Sequence, residues 1–338
     1  MKAMLFGYGR MGKCVAHALN LLGYEIYIID ESYSVSLQSQ YKASTLSIAP
    51  DNQNLLYNIV CEFRPNAIIS TIPNDKIVQD VATQYGQPAI SLDQFGLAPG
   101  LCNILAERGY ELLTNLGLKV DTIEMYCGGL PCSPIGLLGW VPTWSTEGVY
   151  NQYTLPTTLL HKGKIKTTQP LTDLEYLSVS GMELEAFNTY GGISNTAKEM
   201  QDRGVKNCFY KTLRYRGHRR KIQYFIDTKI SKEAFQKLLS LPDYDKTSHM
   251  DRDCVVFRVK VKSENVSWNF SQYVQGDAVW TAMQKCTAFP AAVVAHMSSN
   301  NGLPKELKYQ HLSFNAFATC LSKLCKQAEI KDLTRPFV

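Results

Sequence analysis

Ala3-Met4-Leu5-Phe6-Gly7-Tyr8-Gly9-Arg10-Met11-Gly12 opens the chain, and its reading decides the fold. Four apolar residues ahead of the glycines predict a buried strand. After them, Val15, Ala18, Leu19 and Leu22 recur at helical spacing over Met11 to Leu22. A turn at Gly23 follows, then Ile26-Tyr27-Ile28-Ile29 as a second strand ending on Asp30. Glycines at this spacing permit a tight strand-to-helix turn and close backbone approach to a pyrophosphate. The phosphates then rest on the free amides and positive end of the helix. A lone G-x-G-x-x-G is a weak signal, but here strand, helix and carboxylate all fall where a dinucleotide needs them. Gly7, Tyr8, Gly9, Arg10, Met11, Gly12 and Asp30 are therefore the candidate cofactor residues. Asp30 would accept from the adenosine ribose hydroxyls and repel a 2′-phosphate, which favours NAD. Arg10 could reach over such a phosphate, which leaves NADP open.

The next segments keep the βα alternation. Ser32–Gln40 is loosely patterned, and Ser44–Ile48 predicts a third strand. Leu55, Leu56, Ile59, Val60 and Phe63 share a helical face that Pro65 ends. Ala67-Ile68-Ile69 is a buried strand running into Ser70-Thr71-Ile72-Pro73. A helix through Ile77, Val81 and Tyr85 stops at Gly86, before the strand Ala89-Ile90-Ser91-Leu92. This order predicts a Rossmann-type doubly wound parallel sheet, with ligands at the carboxyl ends of its strands. Ser70, Thr71, Pro73 and Asp93 then stand on the same rim as the glycines.

With 338 residues the chain is long enough for two domains with their own cores. It is 45% hydrophobic and 19% charged, a globular composition, and its net charge of +5 suits small anions better than nucleic acid. No run approaches a membrane span, and Gly7, Gly9, Arg10 and Lys13 interrupt any signal-peptide core. Ten cysteines lie scattered without zinc spacing, so no metal is expected and reduced thiols in a cytoplasmic protein are. Past residue 118 strict alternation replaces the βα pattern, as in Lys119–Met125, Lys221–Thr228 and Cys254–Val261. From Asp277 the chain reads as helical again, with Val279, Met283 and Cys286 on one face and Pro290 as a kink.

Five ordered stretches resemble the saccharopine dehydrogenase superfamily, and in particular its lysine 6-dehydrogenase-like branch. They are Gly96-Leu97-Ala98-Pro99-Gly100, Tyr126-Cys127-Gly128-Gly129-Leu130-Pro131, Glu185-Ala186-Phe187-Asn188-Thr189-Tyr190-Gly191-Gly192, Lys211-Thr212-Leu213-Arg214-Tyr215-Arg216-Gly217-His218, and Ala282-Met283 with Thr287-Ala288-Phe289-Pro290-Ala291-Ala292. The resemblance implies a split architecture: residues 1–118 and 277–338 form the NAD-binding domain. Residues 119–276 form an inserted α/β substrate domain on a largely antiparallel sheet. It also implies a homodimer.

The resemblance gives roles to residues whose own chemistry leaves alternatives open. The run from Lys211 to Lys221 is basic and aromatic. Taken alone it reads as a solvated face, a single-stranded nucleic-acid surface, or a pocket wall. The matched motif selects the pocket, lined by Thr212 and with Arg214 on a substrate carboxylate. His218 becomes the proton acceptor, and Tyr215, acidified by neighbouring arginines, the second candidate. Cys127 and Gly128 become pocket wall at a strand end. Three departures qualify the match. Asp93 stands one residue further from the Gly96–Gly100 turn than the branch's usual acid, so it contacts either substrate or nicotinamide ribose. Ala98 replaces the aspartate usual in enzymes of bulky adducts, and Arg216 replaces a proline and adds a cation beside the clamp.

The activity so implied is NAD-dependent oxidation of a terminal amine of an amino acid. The alternatives are a saccharopine or carboxynorspermidine dehydrogenase acting on a secondary amine, and an NAD-binding regulatory protein without turnover.

Overall fold

A computed structural model describes residues 1–32, 41–239, 253–300 and 303–336. The chain divides into two compact units, Met1–Leu101 with Gln284–Thr334, and Cys102–Met283 with Arg335–Val338.

The first unit begins β1 (Lys2–Phe6), α1 (Arg10–Leu21), β2 (Glu25–Asp30) and β3 (Lys42–Thr45). It continues α2 (Gln53–Phe63), β4 (Ala67–Ser70), α3 (Lys76–Tyr85), β5 (Ala89–Ser91) and the short α4 (Leu92–Phe95). All four strand pairs are parallel, in the order β3-β2-β1-β4-β5. That is the Rossmann order, in which the ends of β1 and β4 flank the point where the winding reverses. Met4 and Phe6 from the central strand pack with Leu56, Val60, Ile68, Val78 and Val81 in one core. Leu55 leaves that core for solvent, and Arg64, in the left-handed region, ends α2 ahead of Pro65. The third strand starts and stops earlier than Ser44–Ile48; most of the loose Ser32–Gln40 stretch lies outside the described residues.

The second unit starts with α5 (Leu101–Asn115) and the long β6 (Val120–Pro131), then α6 (Thr146–Thr154). Next come β7 (Thr157–His161), β8 (Lys164–Thr168), β9 (Glu175–Val179) and β10 (Met182–Asn188). Then follow α7 (Thr196–Asp202), β11 (Asn207–Tyr215), α8 (His218–Asp227), α9 (Lys232–Leu239), β12 (Asp253–Ser263) and β13 (Ser267–Gln275). The main sheet runs β13-β12-β6-β11-β10-β9 and is mixed: β6 and β11 pair in parallel and their outer neighbours antiparallel. Lys221–Thr228 is not a strand. Ile222, Phe225 and Ile226, spaced three and four apart, pack one face of α8 into the core.

Helix α10 (Ala282–Asn300) starts later than Asp277. Asp277 Oδ1 accepts from the amides of Val279 and Trp280, making a turn that leaves Val279 exposed. The buried carboxylate of Asp253 accepts from the amides of Ala282 and Met283 and so caps the helix. Within the first unit, Tyr24 Oη is 2.7 Å from Ser299 Oγ, and Gln284 Nε2 donates to Arg10 O at 2.8 Å. α11 (Phe314–Gln327) packs against α1. Among the described residues no helix is long and apolar enough to cross a membrane. None of the ten cysteines is in a disulfide.

Candidate functional site

The glycine turn of the first unit is shaped by close approach of backbone to backbone. Gly7 has φ +89°, and a Cβ there would stand 2.6 Å from Thr71 Oγ1 and 2.8 Å from Ile72 Cγ2. A Cβ on Gly12 would meet Gly7 O at 2.2 Å, so α1 can lie against the turn only if residue 12 is glycine. Gly9 is different: nothing lies within 4 Å of its Cβ position, and its surface is open. No side chain caps α1 there, and its first turn carries no acid. Open space, uncapped amides and the positive end of a helix fit a pyrophosphate.

Asp30 reaches this turn from the end of β2. Its Oδ2 accepts from Tyr8 N at 2.6 Å, and its Oδ1 from Ser32 N at 2.8 Å and Ser32 Oγ at 3.0 Å. The carboxylate is thus fixed beside the loop, half-buried, where a ribose edge would lie. Arg10 and Pro73 are exposed and Met11 is half-buried. Thr71 Oγ1 donates toward Gly7 O at 3.0 Å and ties the β4 end to the glycines. Ser70 is fully buried in β4, and its hydroxyl has no partner among the described residues. Asp93 sits exposed in the first turn of α4, its pKa raised by partial desolvation and by the Asp75 carboxylate.

In the second unit the motif residues converge on Arg214. Its guanidinium is fully buried, and among the described residues no carboxylate lies within ion-pair distance of it. Glu185 is opposite it in the β10–β11 register, but that carboxylate accepts from the amides of Gly217 and Arg219 instead. Arg214 Nε donates to Tyr153 Oη at 2.9 Å, Nη1 to Leu213 O at 2.8 Å, and Nη2 to Gln152 Oε1 at 3.4 Å. Its carbon lies 4.4 Å from the Trp140 ring centre and 5.8 Å from that of Trp144. A charged group buried without a counter-ion is costly, and aromatic faces offset only part of that cost.

Thr212 lies next to this cation, its Oγ1 2.6 Å from Thr189 Oγ1 and accepting from Gln152 Nε2 at 3.0 Å. His218 is buried, with Nδ1 3.0 Å from Leu138 O and Nε2 3.0 Å from Tyr153 Oη. A carbonyl can only accept, so Nδ1 carries the hydrogen and Nε2 accepts from the phenol. Burial first, then the charge of Arg214, hold the imidazole pKa well below its ordinary value. The ring is neutral, and its basic nitrogen is committed to Tyr153. That differs from a general base presented to a substrate.

Three other expectations meet a different geometry. Tyr215 donates to Pro131 O at 2.8 Å, and burial pushes its pKa up, so the arginines do not acidify it. Arg216 is exposed and pairs with Glu183 at 2.8 Å, so it adds no cation to the clamp. Cys127 and Gly128 lie inside β6 rather than at a strand end. Cys127 is buried opposite Thr212, while a Cβ on Gly128 would meet Leu213 O at 2.5 Å, so packing within the sheet requires that glycine. The partners sequence reasoning missed are Trp140, Trp144, Gln152 and Tyr153. Their only signal is aromatic density between two motifs.

A family model described as the saccharopine dehydrogenase C-terminal domain matches residues 96–311. Saccharopine dehydrogenase [NADP(+), L-glutamate-forming] of Saccharomyces cerevisiae is 24% identical over 232 residues, 62% of this chain and 51% of that protein. The mitochondrial alpha-aminoadipic semialdehyde synthase of Bos taurus is 27% identical over 161 residues, 44% of this chain and 17% of that protein. The chain thus spans about half, or less, of these relatives' own length. In three dimensions it resembles the apo L-Glu-forming saccharopine dehydrogenase of Saccharomyces cerevisiae. That match has a TM-score of 0.69 at 15% identity and covers 97% of each chain, a likeness of fold.

Proposed function

The chain belongs to the saccharopine dehydrogenase family, and on that premise we propose that it is a nicotinamide-dependent amino-acid dehydrogenase oxidising a C–N bond. The observation that carries the reading is Arg214, a buried guanidinium without a carboxylate partner among the described residues. An α-carboxylate supplies the missing charge, and Thr212 with Thr189 offers hydroxyls beside it. Admission of that carboxylate needs a covering group to move. Trp140 and Trp144, from the loop 132–145, lie against the guanidinium, and Trp140 Nε1 donates to Gly129 O at 2.7 Å.

Gly7–Gly12 and Asp30 would hold the cofactor, whose nicotinamide accepts a hydride when bound. Asp30 favours NAD; the NADP(+) in the yeast relative's name keeps the second cofactor as the competing outcome. Only a neutral amine can lose hydride, because its lone pair stabilises the cation that forms. A free alkylamine has a pKa of about 10.4, and neither His218 nor Tyr215 presents a free basic atom. On this reading the neutral substrate is drawn from the solution equilibrium.

The preferred substrate is a basic amino acid oxidised at its terminal amine, with ammonia released and a cyclic imine as product. A secondary amine of the saccharopine type is the second reading, favoured by the names of the relatives. A cytoplasmic homodimer completes the proposal. A panel of amino acids and of amine–oxoacid pairs, each with NAD and NADP and followed by nicotinamide absorbance, tests it. Turnover with none of them would leave the chain a nucleotide-binding protein without activity.

A further inference from the structure

Arg214 has five N–H hydrogens and presents two alternative edges to a carboxylate: side-on through Nε and Nη2, or end-on through both Nη groups. Which edge is available depends on what holds Nε. That partner is Tyr153 Oη, at 2.9 Å. The phenol is itself oriented, because its oxygen accepts from Arg214 Nε and its hydrogen must then go to His218 Nε2, 3.0 Å away. The imidazole is fixed in turn by Leu138 O. Every link has one polarity, since a guanidinium only donates and a carbonyl only accepts. Tyr153, His218 and Leu138 are all buried, so water does not compete for these positions.

We propose that Tyr153 is a positioning residue for the substrate anchor: it occupies Arg214 Nε, closes the side-on edge, and leaves the end-on edge as the anion-binding face. The inference rests on the reading of Arg214 as carboxylate anchor. Nη1 and Nη2 each spend one hydrogen, on Leu213 O and on Gln152 Oε1, and each keeps a second. Gln152 neighbours Tyr153 on α6 and hydrogen-bonds Thr212, so the same helix turn sets both the rotation of the guanidinium and the hydroxyl beside it. Ser145 caps α6, its hydroxyl accepting from Gly148 N at 3.0 Å, which fixes the first turn of the helix. Trp140 and Trp144 lie against the guanidinium, their ring centres 4.4 Å and 5.8 Å from its carbon.

The test measures binding by calorimetry, with L-lysine, L-glutamate and the diamine left by decarboxylating lysine as probes. The proteins are wild type, Tyr153→Phe, His218→Gln, His218→Leu and Arg214→Ala. Phenylalanine keeps the ring but frees Nε, so the guanidinium is no longer held with its end-on edge presented, and binding of both amino acids is expected to weaken about tenfold. The diamine and NAD should bind Tyr153→Phe as they bind wild type, which a general loss of structure would not allow. His218→Gln still accepts the phenol hydrogen and should match wild type, whereas His218→Leu should behave like Tyr153→Phe. With turnover, the loss should fall on KM and leave kcat in place. If Tyr153→Phe does not fold, His218→Leu decides. Wild-type amino-acid binding by either folded variant, while Arg214→Ala loses it, overturns the positioning role and leaves the anchor standing. Equal binding of the amino acids by Arg214→Ala and wild type overturns both.

Discussion

Asp30→Asn separates the two nicotinamide cofactors. The wild-type carboxylate is held by Tyr8 N at 2.6 Å on one oxygen and by the Ser32 amide and hydroxyl on the other. Asparagine keeps one acceptor and turns an NH₂ toward one of those donors. A ribose hydroxyl then loses a charge-assisted bond of about 1.5–3 kcal/mol and gains a neutral one of about 0.5–1.5 kcal/mol. The difference, about 1–1.5 kcal/mol, weakens NAD roughly 5- to 15-fold. A 2′-phosphate instead gains from losing the repulsion. Unit charges at about 4 Å repel by about 1 kcal/mol in water and about 4 kcal/mol near a protein surface. Asp30 is half-buried, so we take about 1–2 kcal/mol, or 5- to 30-fold tighter NADP. The ratio of the two dissociation constants should therefore move on the order of a hundredfold. Calorimetric titration of both cofactors, with thermal melts to confirm folding, reads it. An unchanged ratio would refute the role of Asp30.

Gly12→Ala places a Cβ 2.2 Å from Gly7 O, a backbone atom that cannot rotate away. A stability loss of about 1–3 kcal/mol in urea unfolding is expected together with weakened cofactor binding; a wild-type midpoint would show that the turn is looser than described. With His218 and Tyr215 both committed to other partners, log kcat/KM for an amine substrate should rise by about one per pH unit up to about pH 10. A plateau beginning near neutrality would instead place a titrating group in the site. His218 has its folded pKa below the unfolded value of 6.5, so the unfolded state binds more protons between the two. Its contribution to stability is complete above pH 6.5 and is lost as pH falls toward the folded pKa. His17 and His296 shift in the same direction, so the acid slope should shrink but persist in His218→Gln. An unaltered slope in urea midpoints across that range would mean that His218 is not held neutral.

The first unit was legible because its signals are local. Glycine spacing, a period-3.6 helix and an acid at a strand tip each follow from a few adjacent residues, and Gly7, Gly12 and Asp30 all lie at the predicted turn. The second unit was legible only in part. Lys221–Thr228 alternates over a short span, but Ile222, Phe225 and Ile226 also fit a helix, and packing against the sheet selects the helix. Gly128 reads as pocket wall at a strand end, whereas Leu213 lies against it within the sheet. The surroundings of Arg214 were hidden for another reason. Tyr153 is 61 residues from Arg214 in sequence, and nothing in its neighbours marks it as a partner. His218 read as a base because histidine titrates near neutrality, but burial and two directed hydrogen bonds remove that capacity.

The central claim, an amino-acid dehydrogenase anchored through Arg214, is tested most directly by one ratio. It is kcat/KM for an amino acid divided by kcat/KM for the same molecule without its α-carboxylate, taken with lysine and its decarboxylated diamine. A bidentate pair with a buried arginine should make that ratio at least about a hundred in wild type, and it should fall toward one in Arg214→Ala. Equal turnover of the two amines by the wild-type chain would contradict the account.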